Sequence, residues 1–503
     1  MAHQLKGLQP ERVFHFFEEI SQIPRESGNE LAIAKHLEAF GQSLGFRTER
    51  DEHHNVIIYK PASAGMEAKP TVILQGHSDM VCVKEDGLDF DFATQPIPLV
   101  VDGDMLRTAG TTLGADNGIA VAMMMAILED SSLVHPPLVC LITATEETGM
   151  DGVMGLKPGQ VRGDILINLD SEEEGKVLTS CAGGINHHIM LVPEREPMAD
   201  RSKIKLIVSG LSGGHSGIEI NTCRANAIKL LGRVASELFE AFDVRPIRMS
   251  GGEKMNAIAK RAEGAFAIRT TDRAAIEAKV AELEARFRNE YSITEPGLKL
   301  ELVEPKCGGH GHAHGKGGQG CGCGGKHEML TAESAHKVIA LLRLAPFGPQ
   351  SMSAGVPGLV ESSMNLGLFE LPGATGSEML LRTSIRSSVR SLKYEIVDQM
   401  EQIAKLIGAR TSTRADYPEW QFKEHSPVRE LMIRVYHEMT GKELEVAALH
   451  AGLECGFLTD RVGDIDMVSM GPNLHDVHTP KERLSISSTA RVYDFLLKVL
   501  SRI

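Results

Sequence analysis

Short unbroken apolar runs alternate with amphipathic stretches over the first third of the chain and again near its end. Val56-Ile-Ile-Tyr59, Thr71-Val-Ile-Leu-Gln-Gly76, Leu138-Val-Cys-Leu-Ile-Thr-Ala-Thr145, Ile165-Leu-Ile-Asn-Leu169 and Ile465–Met470 carry few or no polar positions. Runs of this length and continuity predict β-strands buried on both faces, as in a mostly parallel sheet covered by helices. Between them, Val13, Phe16, Phe17 and Ile20 share one helical face, and Ser27-Gly-Asn-Glu30 has capping-box spacing ahead of a helix predicted over Leu31–Leu44. Gly114-Ala-Asp116-Asn-Gly opens a further helix-like stretch from Ile119 to Leu128. The expected class is α/β.

The texture changes after Cys181-Ala-Gly-Gly. Lys203-Ile-Lys-Leu-Ile-Val208 alternates polar and apolar residues, as a sheet with one wet face does. Helices are expected over Ala225–Phe242, Arg273–Tyr291 and Tyr394–Ile407, with strands over Gly264–Thr270, Leu298–Val303, Met364–Phe369 and Met379–Arg386. From His425 the first texture returns. The prediction is therefore a discontinuous α/β domain, residues 1–186 and 422–503, interrupted by an α+β lid domain at 187–421.

In parallel sheets, ligands bind beyond the carboxyl ends of the strands. The apolar runs deliver chemistry there: His77 and Asp79 after the 71–76 run, Glu146 and Glu147 after the 138–145 run, and Asp170 after the 165–169 run. The last run leads through Gly471-Pro472 to His475 and His478, and Asp116 opens the helix between the first two. Two imidazoles (His77, His478) and three carboxylates (Asp116, Glu147, Asp170) suit zinc and tolerate manganese or cobalt. Five ligands exceed the needs of one catalytic zinc. If one carboxylate bridges, they make two three-ligand sites roughly 3.5–4 Å apart. Asp79 is placed to take the other N–H of His77, and Glu146 is the natural general base for an attacking water whose pKa the metals lower. Taken singly, Glu146-Glu147 could be a solvated strand end and Asp116 a helix N-cap. Their joint arrival at strand ends favours catalysis.

The chain has 503 residues, 42% of them hydrophobic and 24% charged, which is ordinary for a two-domain globular protein. A net charge of −14 argues against a nucleic-acid partner. Neither a signal-peptide core nor a membrane-length apolar run is evident, and Cys82, Cys140, Cys181, Cys223 and Cys455 are scattered. A cytoplasmic protein with reduced thiols and no membrane partner is expected.

Gln75-Gly-His-Ser-Asp-Met-Val81, Thr112-Leu-Gly-Ala-Asp-Asn-Gly118, Ala144-Thr-Glu-Glu-Thr-Gly-Met150, Asn168-Leu-Asp-Ser-Glu-Glu-Glu-Gly175 and His450-Ala-Gly-Leu-Glu-Cys-Gly456 carry a resemblance. The chain resembles the bacterial aminoacyl-histidine dipeptidases of the carnosinase–aminoacylase clan of zinc peptidases. That resemblance implies two zinc ions per subunit, a lid that supports a homodimer, and small dipeptide substrates. It assigns His77, Asp116 and Asp170 to one metal, and Asp116, Glu147 and His478 to the other, with Asp116 bridging. His478 is preferred to His475 because Thr-Pro follows it, although its Asp476-Val-His478-Thr-Pro context departs from the family's. In the lid, His215 of Leu211-Ser-Gly-Gly-His-Ser-Gly resembles the family's substrate-facing histidine, stabilising an oxyanion. Asn256 and Arg386 resemble the anchors of the substrate's carboxylate, while His450 and Glu454 are placed near its amino terminus.

One segment departs from the family. Residues 307–325 read CGGHGHAHGKGGQGCGCGG, with ten glycines among nineteen residues. Cys307, His310, His312, His314, Cys321 and Cys323 could wrap a soft metal on a loop at 306–327. The function expected is a di-zinc dipeptidase for L-dipeptides with free termini, with Xaa-His favoured. The alternatives are an amide deacylase of N-acyl amino acids and a metal-buffering protein acting through the loop.

Overall fold

A computed structural model describes residues 4–304 and 328–503 and divides into two compact units, Met1–Cys181 with Pro418–Ile503, and Ala182–Tyr417. Both boundaries fall a few residues before those expected at 186/187 and 421/422. The strand Gly183–Leu191 begins before the expected entry into the lid, and Arg410–Tyr417 pairs with it antiparallel, so both strands belong to the inserted unit. The Cys/His loop at 306–327 lies outside the described residues.

The first unit is built on an eight-stranded sheet in the order Arg47–Arg50, Val56–Lys60, Leu138–Thr143, Val72–His77, Ile165–Asn168, Asp466–Ser469, Lys176–Cys181, Glu445–Leu449. Its four central strands, Leu138–Thr143 through Asp466–Ser469, are parallel, so their carboxyl ends share one edge. Val72, Leu74, Cys140, Ile142 and Ile167 pack with helices Glu11–Ile20, Ala115–Glu129 and Ile486–Leu500 in one apolar core. Helix Ala115–Glu129 lies so close to Val72–His77 that a Cβ on Gly76 would stand 2.3 Å from Asn117 Oδ1. A four-stranded sheet, Leu474–His475, Arg483–Ser485, Met105–Thr108 and Leu99–Asp102, was not evident from apolar periodicity. Its strands have two to four residues each, too short to show a period. No helix among the described residues is long and apolar enough to cross a membrane.

The second unit carries a nine-stranded sheet whose pairings are antiparallel. Helices Ala227–Phe242, Arg273–Glu290, Ala332–Leu344 and Arg390–Ile407 supply its core with Ile228, Leu283, Leu342 and Met400. That is the expected α+β texture. Within it His187, between the core residues Ile185 and Ile189, is 0% exposed and neither ring nitrogen has a partner. Burial, with the neighbouring His188, pushes its pKa down from 6.5 to about 4. The unfolded state therefore binds more protons between those values, so stability rises with pH from about 4 to 6.5 and is lost on acidification through that window. The full effect is about 3 kcal/mol. His187→Leu is expected to flatten the dependence of urea midpoint on pH in that window, and an unchanged slope would remove His187 as its cause.

Candidate active site

Strand ends and the turns after them assemble the site in the first unit. Val72–His77 ends on His77 itself. After Leu138–Thr143 the chain turns through Thr145, at φ 55°, into the short helix Glu146–Gly149, which brings Glu146 and Glu147 back over the sheet edge. Asp170 follows Ile165–Asn168 by two residues, and Asp116 lies in the kinked first turn of Ala115–Glu129. His478, at φ 61°, comes from the loop between the two short strands at 474–475 and 483–485.

Asp116 sits at the centre. Its Oδ1 is 3.3 Å from His77 Nε2, while Oδ2 is 3.0 Å from His478 Nε2. His77 Nε2 is also 3.4 Å from Asp170 Oδ1, and His478 Nε2 is 3.0 Å from Glu147 Oε2. Among the described residues, three overlapping groups could each hold a metal ion: His77, Asp116 and Asp170; Asp116, Glu147 and His478; and His77, Glu146 and Glu147. His475 instead pairs with Arg483 on the small sheet.

The electrostatics fit a cation. Burial and the neighbouring Asp116 and Glu147 charges raise the Asp170 pKa to about 7, although His77 opposes them. Burial likewise raises Glu146 well above its ordinary value, against the pull of His77 and with the repulsion of Asp170, Glu454 and Glu147. Hydrogen bonds donated to the Asp116 and Glu147 carboxylates lift His478 to about 11. Oε1 of Glu147 is buried without a hydrogen-bond partner. So many carboxylates in a buried space leave each other's charge poorly compensated, and divalent ions would compensate it more fully than two imidazolium protons.

Asp79 lies behind this cluster, 0% exposed. Its Oδ1 is 3.4 Å from His77 Nδ1, and it accepts Ser27 Oγ–H at 2.7 Å and the Glu146 and Glu147 amides at 3.1 and 3.2 Å. Burial opposes its charge, but the bonds from His77, Ser27 and Glu146 hold its pKa down at about 2. Asp79 thus orients His77 and fixes the Glu146-Glu147 backbone together. The capping box expected at Ser27–Glu30 does not form. The helix starts at Leu31, Ser27 binds Asp79, and Glu30 accepts Thr145 Oγ–H at 2.7 Å. Both residues support the site instead.

Glu454 and His450 are buried, 1% and 6% exposed. Glu454 Oε2 accepts from Gln75 at 2.5 Å and Thr143 at 2.8 Å, while Oε1 has no hydrogen-bond partner. In the second unit, His215 Nδ1 accepts the Gly217 and Ile218 amides at 3.2 and 3.1 Å, which leaves its proton on Nε2. Burial and Arg386 lower its pKa, so the ring stays a neutral donor. His215 pairs with Ala257, beside Asn256, and Arg386 donates to Tyr417 Oη at 2.6 Å.

Two charged residues at this site carried no sequence signal. Arg25 and Glu482, 1% and 2% exposed, both bind backbone. Arg25 donates to the carbonyls of Ser78 at 3.1 Å and Gly114 at 2.6 Å, and Glu482 accepts amides of residues 113–116. Capping-box logic could not find them, because their partners are backbone groups remote in sequence.

Residues 207–295 match the peptidase dimerisation domain of the M20 peptidases. The chain is 36% identical, over 99% of both sequences, to the cytosol non-specific dipeptidase of Escherichia coli (strain K12). It is similar to the crystal structure of aminoacylhistidine dipeptidase from Vibrio alginolyticus, with TM-score 0.92 and 32% identity over 99% of this chain and 98% of that one. Aminopeptidase PepT from Bacillus cereus, at TM-score 0.53 and 15% identity over 98% of each chain, shares the fold. With a full-length relative above 30% identity and a strand-end cluster suited to metal, the chain belongs to the M20 metallopeptidases, enzymes that hydrolyse peptide bonds.

Proposed function

We propose that this enzyme is a cytosolic dipeptidase that uses two zinc ions to cleave L-dipeptides with free termini, Xaa-His among the favoured substrates. The observation that carries this reading is the division of Asp116, one oxygen toward His77 and the other toward His478. His77, Asp116 and Asp170 would hold one ion, and Asp116, Glu147 and His478 the other. Manganese or cobalt would be tolerated substitutes. Bound there, two divalent ions supply Lewis acidity and charge compensation.

The protein's own groups do the rest. Glu146 takes the proton of the attacking water and returns it to the leaving amine. Asp79 keeps His77 in one tautomer by holding its Nδ1–H. His215 donates Nε2–H to the carbonyl oxygen as negative charge develops there. Arg386 and Asn256 take the substrate's C-terminal carboxylate, and the buried Glu454, with His450, sets the environment of its amino end. Arg386→Ala is then expected to raise KM for free dipeptides about 10- to 100-fold. Dipeptide amides, which lack that carboxylate, should show no comparable rise. An equal rise for both would take the carboxylate away from Arg386. The match to the dimerisation domain supports a homodimer.

The direct test is a substrate panel of Ala-His, β-Ala-His, Ala-Leu, a tripeptide and an N-acetyl amino acid. Cleavage of the free dipeptides, with the tripeptide and acylated compound spared, supports the reading. Cleavage of the N-acetyl compound alone would reassign the enzyme as a deacylase.

A further inference from the structure

The loop that carries Asp116 is held from both sides by buried charges of opposite sign. Glu482 Oε2 accepts the amides of Leu113 at 2.8 Å and Gly114 at 3.1 Å, and Oε1 accepts those of Ala115 at 2.8 Å and Asp116 at 3.3 Å. No side chain caps helix Ala115–Glu129 from its N-cap residue, Gly114, so a carboxylate far away in sequence satisfies these amides. Arg25 takes the opposite pole, donating to the Gly114 carbonyl and to those of Ser78 and Asp79 beside His77. The turn admits only glycine at 114. Its φ is +69°, and a Cβ there would stand 2.5 Å from Arg25 Nη2.

Glu482 lies four residues after His478, at the end of the same loop and immediately before the short strand Arg483–Ser485. One stretch of chain thus supplies a candidate ligand and clamps the loop bearing the shared carboxylate. We propose that Glu482 is a positioning residue for metal binding: by holding the amides of residues 113–116 it sets Asp116 against His478 and so makes the Asp116–Glu147–His478 site competent. This rests on the two-metal reading above. The chemistry demands a carboxylate. A glutamine would turn an N–H₂ toward amide donors, and an aspartate would fall one methylene short of them.

The test uses full-length wild type, E482Q and E482D, with zinc affinity measured by calorimetry on metal-stripped protein and backbone exchange followed over the peptide containing residues 113–116. Wild type should bind two zinc ions. E482Q should keep one and lose affinity for the second by about 10- to 100-fold, with faster exchange over 113–116. E482D should fall between them. Excess zinc should restore part of the E482Q activity, which a general loss of folding would not allow. Two zinc ions at wild-type affinity with unchanged exchange in E482Q would overturn the proposal. If E482Q does not fold, the same result in E482D overturns it. A wild type that binds fewer than two ions would sink the two-metal reading itself, whereas unchanged exchange in a folded variant would sink the clamp alone.

Discussion

Glu146→Gln should lower kcat for a free dipeptide by roughly 10²- to 10⁴-fold while two zinc ions still bind. Amide for carboxylate preserves the shape and removes the proton acceptor. The geometry makes the metal count informative, because Glu146 has two possible uses. Its Oε2 is 4.0 Å from His77 Nε2, and with His77 and Glu147 it forms a group able to hold an ion. A base and a ligand differ in what their loss does. Loss of a base leaves both ions in place with KM little changed. Loss of a ligand removes an ion, and excess zinc then recovers activity. The Glu146 backbone is fixed by Asp79 independently of its own carboxylate, so the substitution should not displace Glu147. Full occupancy with a collapsed kcat is the expected result, and recovery by added zinc would instead make Glu146 a ligand.

Asp116→Ala should be the most damaging single change in the site. Asp116 alone presents one oxygen to each histidine, and burial notwithstanding, its bonds with His478 and His77 hold its pKa well below the usual carboxylate range. Removing it takes a ligand from both proposed metals and leaves Asp170 and Glu147 facing each other across a buried gap. Activity should fall by on the order of 10³-fold or more. Asp170→Ala, by contrast, should weaken one zinc ion and spare the other. Equal metal loss in both variants would mean that Asp116 does not bridge.

Much of this site was legible in sequence because a parallel sheet converts chain order into spatial convergence. An apolar run that must be buried on both faces ends where polar residues begin, and that edge is where His77, the Glu146-Glu147 pair and Asp170 stand. The 465–470 run pointed to both His475 and His478, and only the Thr-Pro after His478 separated them, since the flanking strands are two and three residues long. The support behind the site was not legible. Ser27 and Glu30 have a spacing that usually serves the local helix, yet here they serve Asp79 and Thr145. Arg25 and Glu482 bind only backbone across the fold, and a backbone partner leaves no trace in residue identity. The lid boundaries lie earlier than expected because Gly183–Leu191 opens on three consecutive buried residues, Gly183, Gly184 and Ile185, with no Pro or charge cluster to mark its start.

The most direct measurement is a zinc titration of metal-stripped wild-type protein, following bound metal and Ala-His hydrolysis together. Activity rising to a plateau at two zinc ions per chain, and absent at that occupancy in Glu146→Gln, is the expected result. Full activity at one equivalent, or two bound ions with no cleavage of any free dipeptide, would contradict a two-metal dipeptidase.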